Sequence, residues 1–282
     1  YCAHGYSSGN FRLGCHHDQA FEVEGSIAKS CNAYYVYVFR AILENSHYKG
    51  IREAYDAWRE YMLRFGFGRK LDSDLENELK GNVPSSDYYQ RYVFGTARWR
   101  ALPIISLSIG QGELGITPFQ LANYCAMLAN RGYYYIPHIV REIEGKPFPE
   151  KFRVRQESGI DRIHFDPVIN GMEQVMQPGG TGAMSMIPGL VVCGKTGTAQ
   201  NPHGADHSVF MAFAPKDHPQ IAVSVYVENG IWGSTYAAPI ASLVIEKYLN
   251  DTISSQRRWL EESMLKANLL EPHYNPENGD EE

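Results

Sequence analysis

Three apolar runs near the C-terminal end of the chain constrain its fold most strongly. They cover 191–199, 208–213 and 221–227 and are joined by polar or proline-bearing connections. Runs of this length, rich in β-branched residues and bounded by turn signals, predict strands. Three such strands in succession predict an antiparallel meander. The apolar stripe of residues 238–249 has helical spacing and predicts a helix packed on that sheet.

The preceding two thirds of the sequence predict mostly helices. Apolar residues at helical spacing predict helices over 33–43 and 51–65. Thr117-Pro118, with Gln120 following, combines an N-cap, a proline at the first helical position and a capping-box partner. Asp166-Pro167 repeats the cap-then-proline signal before another helix. Ser30 or Asn32 is a candidate cap for the helix over 33–43.

Two regions lack regular periodicity. Residues 1–25 are rich in Gly, Ser and His, and we expect them to form a loop. Residues 66–103 predict a long irregular excursion, and loops of that length usually line a site or cover a partner. We assign 1–270 to one partial domain and 271–282 to a disordered acidic tail.

Length and charge restrict the classes of function. At 282 residues the chain can bury a substantial core, and its net charge of -6 argues against a nucleic-acid-binding surface. No apolar run approaches the ~18 residues of a membrane span, and the N-terminus does not resemble a signal peptide. The sequence opens without methionine, so we expect it to be the C-terminal part of a longer protein whose anchor lies upstream.

The five cysteines do not form a disulfide framework or a C-x-x-C pair. Cys15, His16, His17 and Asp18, with Cys31 closing the set, are candidate metal ligands. Their spacing matches no standard zinc pattern, which favours a solvated or hydrogen-bonded loop. We therefore predict no metal site and no cofactor.

The segment Lys195-Thr196-Gly197-Thr198 brings a cation, two hydroxyl groups and open backbone together on one predicted strand. This combination suits an anionic or carbonyl-bearing ligand. Such a short segment also occurs by chance in glycine-rich strand ends, so it needs support from other parts of the sequence.

Other segments supply that support. Ser30-Cys31-Asn32 resembles the S-x-N motif and Lys195-Thr196-Gly197 the K-T-G motif of penicillin-recognising serine acyltransferases. Further segments resemble class B penicillin-binding proteins, with one typical of the cell-elongation branch: Ser108–Gly112, Thr117–Ala122, Gly180–Gly182, Phe213–Pro215 and, for the elongation branch, Gly132–His138. The resemblance covers about residues 26–250. It implies an α/β fold in which an antiparallel sheet is flanked by helices and the site lies against an all-helical subdomain.

The sequence departs from the family in its nucleophile. The family carries an S-x-x-K motif several dozen residues before S-x-N, whereas here 29 residues precede Ser30. Ser26-Ile27-Ala28-Lys29 spells S-x-x-K but abuts the S-x-N motif, and we expect it to lie in a lead-in loop. We interpret it as an accidental match. The nucleophile, its lysine and the second oxyanion donor are then absent, and the chain is inactive alone.

The resemblance implies roles for the remaining motif residues in a peptidoglycan D,D-transpeptidase. Lys195 supplies charge to the terminal carboxylate of a D-Ala-D-Ala peptide, and Thr196 and Thr198 hydrogen-bond it. The Thr198 backbone N–H is also one half of the oxyanion hole, and Gly197 leaves the strand edge open for the substrate. Ser30 shuttles a proton to the leaving amine, and Asn32 holds the substrate amide.

The resemblance also implies partners and a location. The expected ligands are peptidoglycan stem peptides and β-lactam antibiotics, and the expected partner of the parent protein is a membrane glycosyltransferase of the elongation machinery. The expected location is the extracytoplasmic face of the bacterial inner membrane. Two alternatives stay open: a β-lactamase-like or carboxypeptidase-like hydrolase on the same scaffold, and a non-catalytic ligand-sensing module.

Overall fold

The structure is a computed structural model that describes residues 2, 4–9, 11–17 and 19–270. The tail predicted for 271–282 lies outside the described residues. The helices are α1 (Val23–Ala28), α2 (Asn32–Leu43), α3 (Ile51–Arg64), α4 (Ser86–Tyr89), α5 (Pro118–Ala129), α6 (Phe165–Met176), α7 (Ala237–Asn250) and α8 (Arg258–Lys266). The strands are β1 (Gly5–Ser8), β2 (Phe11–Gly14), β3 (Tyr133–Tyr135), β4 (Arg155–Glu157), β5 (Cys193–Ala199), β6 (His207–Ala214) and β7 (Ile221–Val227).

The three C-terminal strands form the predicted antiparallel meander in the order β5-β6-β7. Lys195 lies opposite Met211 and Thr198 opposite Ser208 in the register of β5 and β6. Strand β5 is therefore an edge strand among the described residues, and it carries the K-T-G residues. The predicted sheet is thus confirmed, and Lys195, Thr196 and Gly197 lie at its open edge.

Helices cover the sheet and close the larger of two hydrophobic cores. The fully buried rings of Phe210 and Phe213 come from β6, and Ile169 of α6 and Ile245 of α7 are equally inaccessible. Burying apolar surface of this kind contributes roughly 25 cal/mol per Å². The prediction of a sheet flanked by helices is confirmed.

A second core lies in the helical part of the chain. It joins α2, α3 and the 3₁₀ segment Leu102–Ile109, with the aromatic rings of Tyr55, Tyr89 and Trp99 packed together. This core corresponds to the helical subdomain that the resemblance implied, with the β1-β2 hairpin packed against it. The motif residues lie where the two cores meet, because α2 begins two residues after Ser30 and β5 belongs to the other core.

The capping box predicted at Thr117 and Gln120 is present and also organises the excursion at 66–103. Gln120 is fully buried, and its amide donates to the backbone oxygens of Gly66, Arg69 and Lys80 at 3.1, 2.8 and 2.9 Å. Buried polar groups are costly unless paired, so this side chain fixes the start of an otherwise irregular segment. The excursion also contains α4 and one π-helical turn.

Local details differ from the predictions at three places. The segment 1–25 contains the hairpin β1-β2 and the start of α1 rather than only loop. Neither Ser30 nor Asn32 caps α2, because Cys31 occupies the N-cap position without a side-chain bond. Asp166 lies in the first turn of α6 rather than at its cap and pairs with Arg131 at 3.2 Å.

None of the described helices combines the length and the apolarity that crossing a membrane requires.

Candidate active site

Ser30 and Lys195 meet although they lie far apart in sequence. The Lys195 ammonium Nζ donates to Ser30 Oγ at 2.9 Å and to the Thr196 backbone oxygen at 2.7 Å. Ser30 itself has a left-handed backbone with φ of 52°. Backbone strain of this kind in a residue other than glycine is concentrated at functional sites. The structure thus brings the S-x-N and K-T-G motifs together.

Desolvation changes the acidity of Lys195, which is half-buried. Desolvation lowers the pKa of its ammonium from 10.5 to about 8, because removal from water penalises the charged form. Within the described part of the chain, no carboxylate forms an ion pair with Lys195. Among the described residues, Lys195 therefore has a hydroxyl and a backbone oxygen as partners but no carboxylate.

Thr196, whose backbone oxygen accepts from Lys195, also carries a hydroxyl group that is hydrogen-bonded to Thr181. Thr181 Oγ1 and Thr196 Oγ1 share a hydrogen bond of 2.7 Å, and the Thr181 N–H donates to the Ala28 backbone oxygen at 3.2 Å. From the sequence, Thr181 was recognisable only as part of a family signature and not as a residue of the site. Its position between two glycines just before the K-T-G strand was the available signal.

The open edge of β5 presents the backbone of Thr196 and Thr198. A Cβ atom added to Gly233 would lie within 2.8 Å of three backbone atoms, namely the nitrogen and oxygen of Gly197 and the oxygen of Val209. This clustering shows that Gly197 directs its polar groups towards Val209 in β6. Because backbone directions alternate along a strand, Thr196 and Thr198 direct theirs to the open side. An extended peptide can add there as a further strand.

Asn32 is placed differently from the role the sequence implied. Its Nδ2 donates to the Gly14 backbone oxygen at 2.8 Å, which ties the start of α2 to the end of β2. The described structure therefore uses its amide for the hairpin, and a role in holding the substrate amide stays a prediction.

Ser26 and Lys29 of the S-x-x-K sequence have separate hydrogen-bond partners in the structure. Ser26 is fully buried in α1, and its Oγ donates to the Val23 backbone oxygen at 2.7 Å. Lys29 is exposed and donates to the Gly179 oxygen at 2.5 Å. The expected lead-in loop is wrong because these residues form a short helix and its C-cap. That local geometry still supports an accidental match.

A possible metal centre lies beside this site. Ligand atoms of Cys2, Cys15, His17 and Cys31 are all within 4.8 Å of one another. His16 lies outside the group and packs edge-on against Trp232 with ring centroids 5.8 Å apart. Sequence analysis considered Cys15, His17 and Cys31 but missed Cys2, which the β1-β2 hairpin brings to the others. Asp18 lies outside the described residues.

The four residues fit Zn²⁺. Two thiolates about 2.3 Å from a tetrahedral zinc ion lie roughly 3.8 Å apart, which this cluster accommodates. Both ring nitrogens of His17 are buried without a hydrogen-bond partner in the described chain. Burial raises the pKa of Cys31 to about 12, so its thiol is protonated unless a cation is bound. A metal ion here would clamp Cys31 and hence its neighbour Ser30.

Comparison with known proteins identifies the family. The model of the penicillin binding protein transpeptidase domain matches residues 4–246. The chain belongs to this family. Peptidoglycan D,D-transpeptidase MrdA of Acinetobacter baumannii is 34% identical over an alignment of 242 residues that covers 79% of this chain and 34% of that protein. The resemblance to class B penicillin-binding proteins of the elongation type is confirmed.

Solved structures agree with this assignment. Pseudomonas aeruginosa PBP2 in complex with WCK 5153 matches with a TM-score of 0.75 and 29% identity, covering 90% of this chain and 55% of that chain. Penicillin-binding protein A of Mycobacterium tuberculosis, solved as an imipenem acyl-enzyme complex, matches with a TM-score of 0.65 and 25% identity, covering 86% and 52%. The chain spans about a third of the length of the MrdA proteins of Acinetobacter baumannii and Haemophilus influenzae.

The metal centre can be tested by metal content. We expect the chain purified with Zn²⁺ to retain about one equivalent by mass spectrometry, because three thiols and one imidazole form a tetrahedral set. Cys31→Ala and Cys15→Ala should lose it, whereas Cys125→Ala, a buried cysteine outside the cluster, should keep it. Addition of Co²⁺ should give the visible absorption of a tetrahedral thiolate site. Equal metal content in all four proteins would contradict a site at this cluster.

Proposed function

We propose that this chain forms the peptide-binding half of a peptidoglycan D,D-transpeptidase that acts on stem peptides ending in D-Ala-D-Ala. The observation that carries the proposal is the Lys195 ammonium, held between Ser30 and the open edge of β5 without an anionic partner in the described chain. A terminal carboxylate supplies the missing charge. Thr196 and Thr181 add hydroxyl groups that orient it.

The same edge can stabilise the reacting carbonyl. With the carboxylate at Lys195, the preceding peptide carbonyl reaches the Thr198 N–H, which is half of an oxyanion hole. A serine attacks that carbonyl and forms an ester, and the terminal D-Ala leaves as an amine after receiving a proton. Ser30, bonded to Lys195, is placed to pass that proton on. An amine of a neighbouring stem peptide then takes the acyl group and releases the serine.

We propose that the serine nucleophile comes from sequence outside this chain. Ser26, the serine of the S-x-x-K sequence that directly precedes Ser30, is buried in α1, and its Oγ donates to the Val23 backbone oxygen. An apolar groove of about 350 Å³ lies beside the site between α2, α3 and the Leu102–Ile109 segment. Such a groove suits the apolar face of a helix. Its aromatic lining includes Tyr35, Phe39, Trp58, Phe65 and Tyr124.

The wider assignments rest on the relatives. The M. tuberculosis structure with imipenem supports β-lactam antibiotics as ligands of the complete protein. The relatives named peptidoglycan D,D-transpeptidase support a cell-envelope location, with the domain on the extracytoplasmic face of the inner membrane. A membrane glycosyltransferase as partner of the complete protein is proposed on the same basis.

Peptide binding tests the proposed function. We expect N-acetylated peptides ending in D-Ala-D-Ala to bind the chain non-covalently, with shifts in NMR spectra at β5. Lys195→Met should weaken binding at least about tenfold, because a hydrogen bond to a charged group is lost. Thr196→Val should weaken it less. Lys146→Met changes an exposed lysine outside the site and should have no effect. Equal affinity of the Lys195 variant and the unchanged chain would rule the proposal out.

Covalent labelling tests the missing nucleophile. We expect no acyl adduct when the chain is incubated with fluorescent penicillin and analysed by denaturing electrophoresis and intact-mass measurement, because Ser26 cannot reach the cleft. Ser26→Ala serves as the matched control. An adduct that maps to Ser26 and disappears in this variant would show that the S-x-x-K sequence is functional.

A further inference from the structure

Gln111 reaches across the cleft to the strand that carries the K-T-G residues. Its side-chain Nε2 donates to the Thr198 backbone oxygen at 2.7 Å, a contact between residues 87 positions apart. Gln111 belongs to the helical part of the chain and Thr198 to the sheet. The bond therefore spans the space in which a ligand on the open edge of β5 must lie.

The loop that carries Gln111 is held firmly. Gly110 and Gly112 on either side both have φ of 76°, a backbone conformation that favours glycine. A Cβ at Gly112 would lie 2.5 Å from Ser106 Oγ, and the Gln111 N–H donates to the Ser106 backbone oxygen at 3.1 Å. The half-buried side chain therefore projects from a fixed turn towards β5 rather than from a mobile loop.

The Thr198 oxygen is also the acceptor that a bound peptide needs. In the proposed function the terminal carboxylate lies at Lys195 and the preceding residue at Thr198, so the peptide runs antiparallel to β5. Directly opposed residues of an antiparallel hydrogen-bonded pair exchange both N–H···O bonds. The residue whose carbonyl meets the Thr198 N–H then offers its own N–H to the Thr198 oxygen, which Gln111 already occupies.

We infer that Gln111 is a positioning and specificity residue whose side-chain amide stands in for the N–H of the penultimate substrate residue and is exchanged for it on binding. The inference rests on the proposed function and extends it to a residue outside the three catalytic motifs. In the free protein Gln111 keeps the edge acceptor paired and joins the two walls of the cleft. A ligand whose penultimate residue has an N–H replaces the Gln111 bond to the Thr198 oxygen by a bond of its own. A ligand without that N–H cannot make this replacement.

Two ligands separate this role from a purely structural one. N-acetylated tripeptides ending in D-Ala-D-Ala carry the penultimate N–H, and N-acetyl-D-alanine has the carboxylate and one carbonyl but lacks it. Gln111→Ala removes the internal competitor, so the tripeptide should bind between about two- and tenfold more tightly, the range expected for one net hydrogen bond. The affinity for N-acetyl-D-alanine should not change. The measured quantity is the dissociation constant of N-acetyl-D-alanine divided by that of the tripeptide.

Dissociation constants would be measured by NMR titration of the full chain, after thermal unfolding has shown that each variant folds. Gln111→Asn is the second variant, since its amide is one methylene too short to reach Thr198, and it should behave like the alanine variant. Gln200→Ala, at an exposed position after β5, is the matched control and should leave both constants unchanged. A raised ratio in both Gln111 variants supports the inference.

An unchanged ratio, or weaker tripeptide binding in the Gln111 variants while the unchanged chain binds, overturns the inference and leaves the proposed function intact. If the unchanged chain binds neither ligand, the proposed function fails and the inference fails with it. Ligand binding by the unchanged chain therefore distinguishes a failure of the inference from a failure of the proposed function.

Discussion

The hydrogen bond from Lys195 to Ser30 is the interaction on which the site depends, because it joins two separately packed parts of the chain. Ser30 precedes α2 of the helical core, and Lys195 lies on the edge strand of the sheet core. Each partner is held in an unfavourable state, Ser30 by its left-handed backbone and Lys195 by burial that disfavours its charge. Such costs persist only where the surrounding structure enforces them, and here they produce a cationic cleft suited to a carboxylate.

The open edge of β5 exposes backbone groups beside Lys195. An edge strand exposes unpaired backbone groups, which proteins usually protect. Here Lys195 and Gln111 engage the two carbonyls that face outwards, those of Thr196 and Thr198. No strand of the described residues pairs with this edge, and its two outward carbonyls accept hydrogen bonds from side chains that we propose a bound peptide replaces. Cys31, next to Ser30, connects the same wall of the cleft to the cysteine and histidine cluster.

Local signals in the sequence were sufficient for the larger helices, the three-stranded sheet and the motif residues, but not for the β1-β2 hairpin or α1. The capping box at Thr117 and the three apolar runs specify their own structures, and the family motifs indicated Ser30 and Lys195. Contacts between distant segments could not be read in this way. Neither Gln111 with Thr198 nor Cys2 with Cys31 follows any spacing rule, because the turn at Gly110 and Gly112 and the β1-β2 hairpin create them. Ser26 is an opposite example: its segment matches the S-x-x-K motif in sequence, but the residue is fully buried in α1.

The pKa of Lys195, followed by NMR of the chain with isotopically labelled lysine, tests the proposed carboxylate site most directly. We expect a pKa of about 8 in the free chain, because desolvation disfavours the ammonium. The pKa should rise when a peptide ending in D-Ala-D-Ala is added, since a carboxylate stabilises the charged form. Affinity for the peptide should accordingly fall as the pH rises above 8. A pKa near 10.5 that does not respond to the peptide would contradict a buried, unpaired cation that awaits a carboxylate.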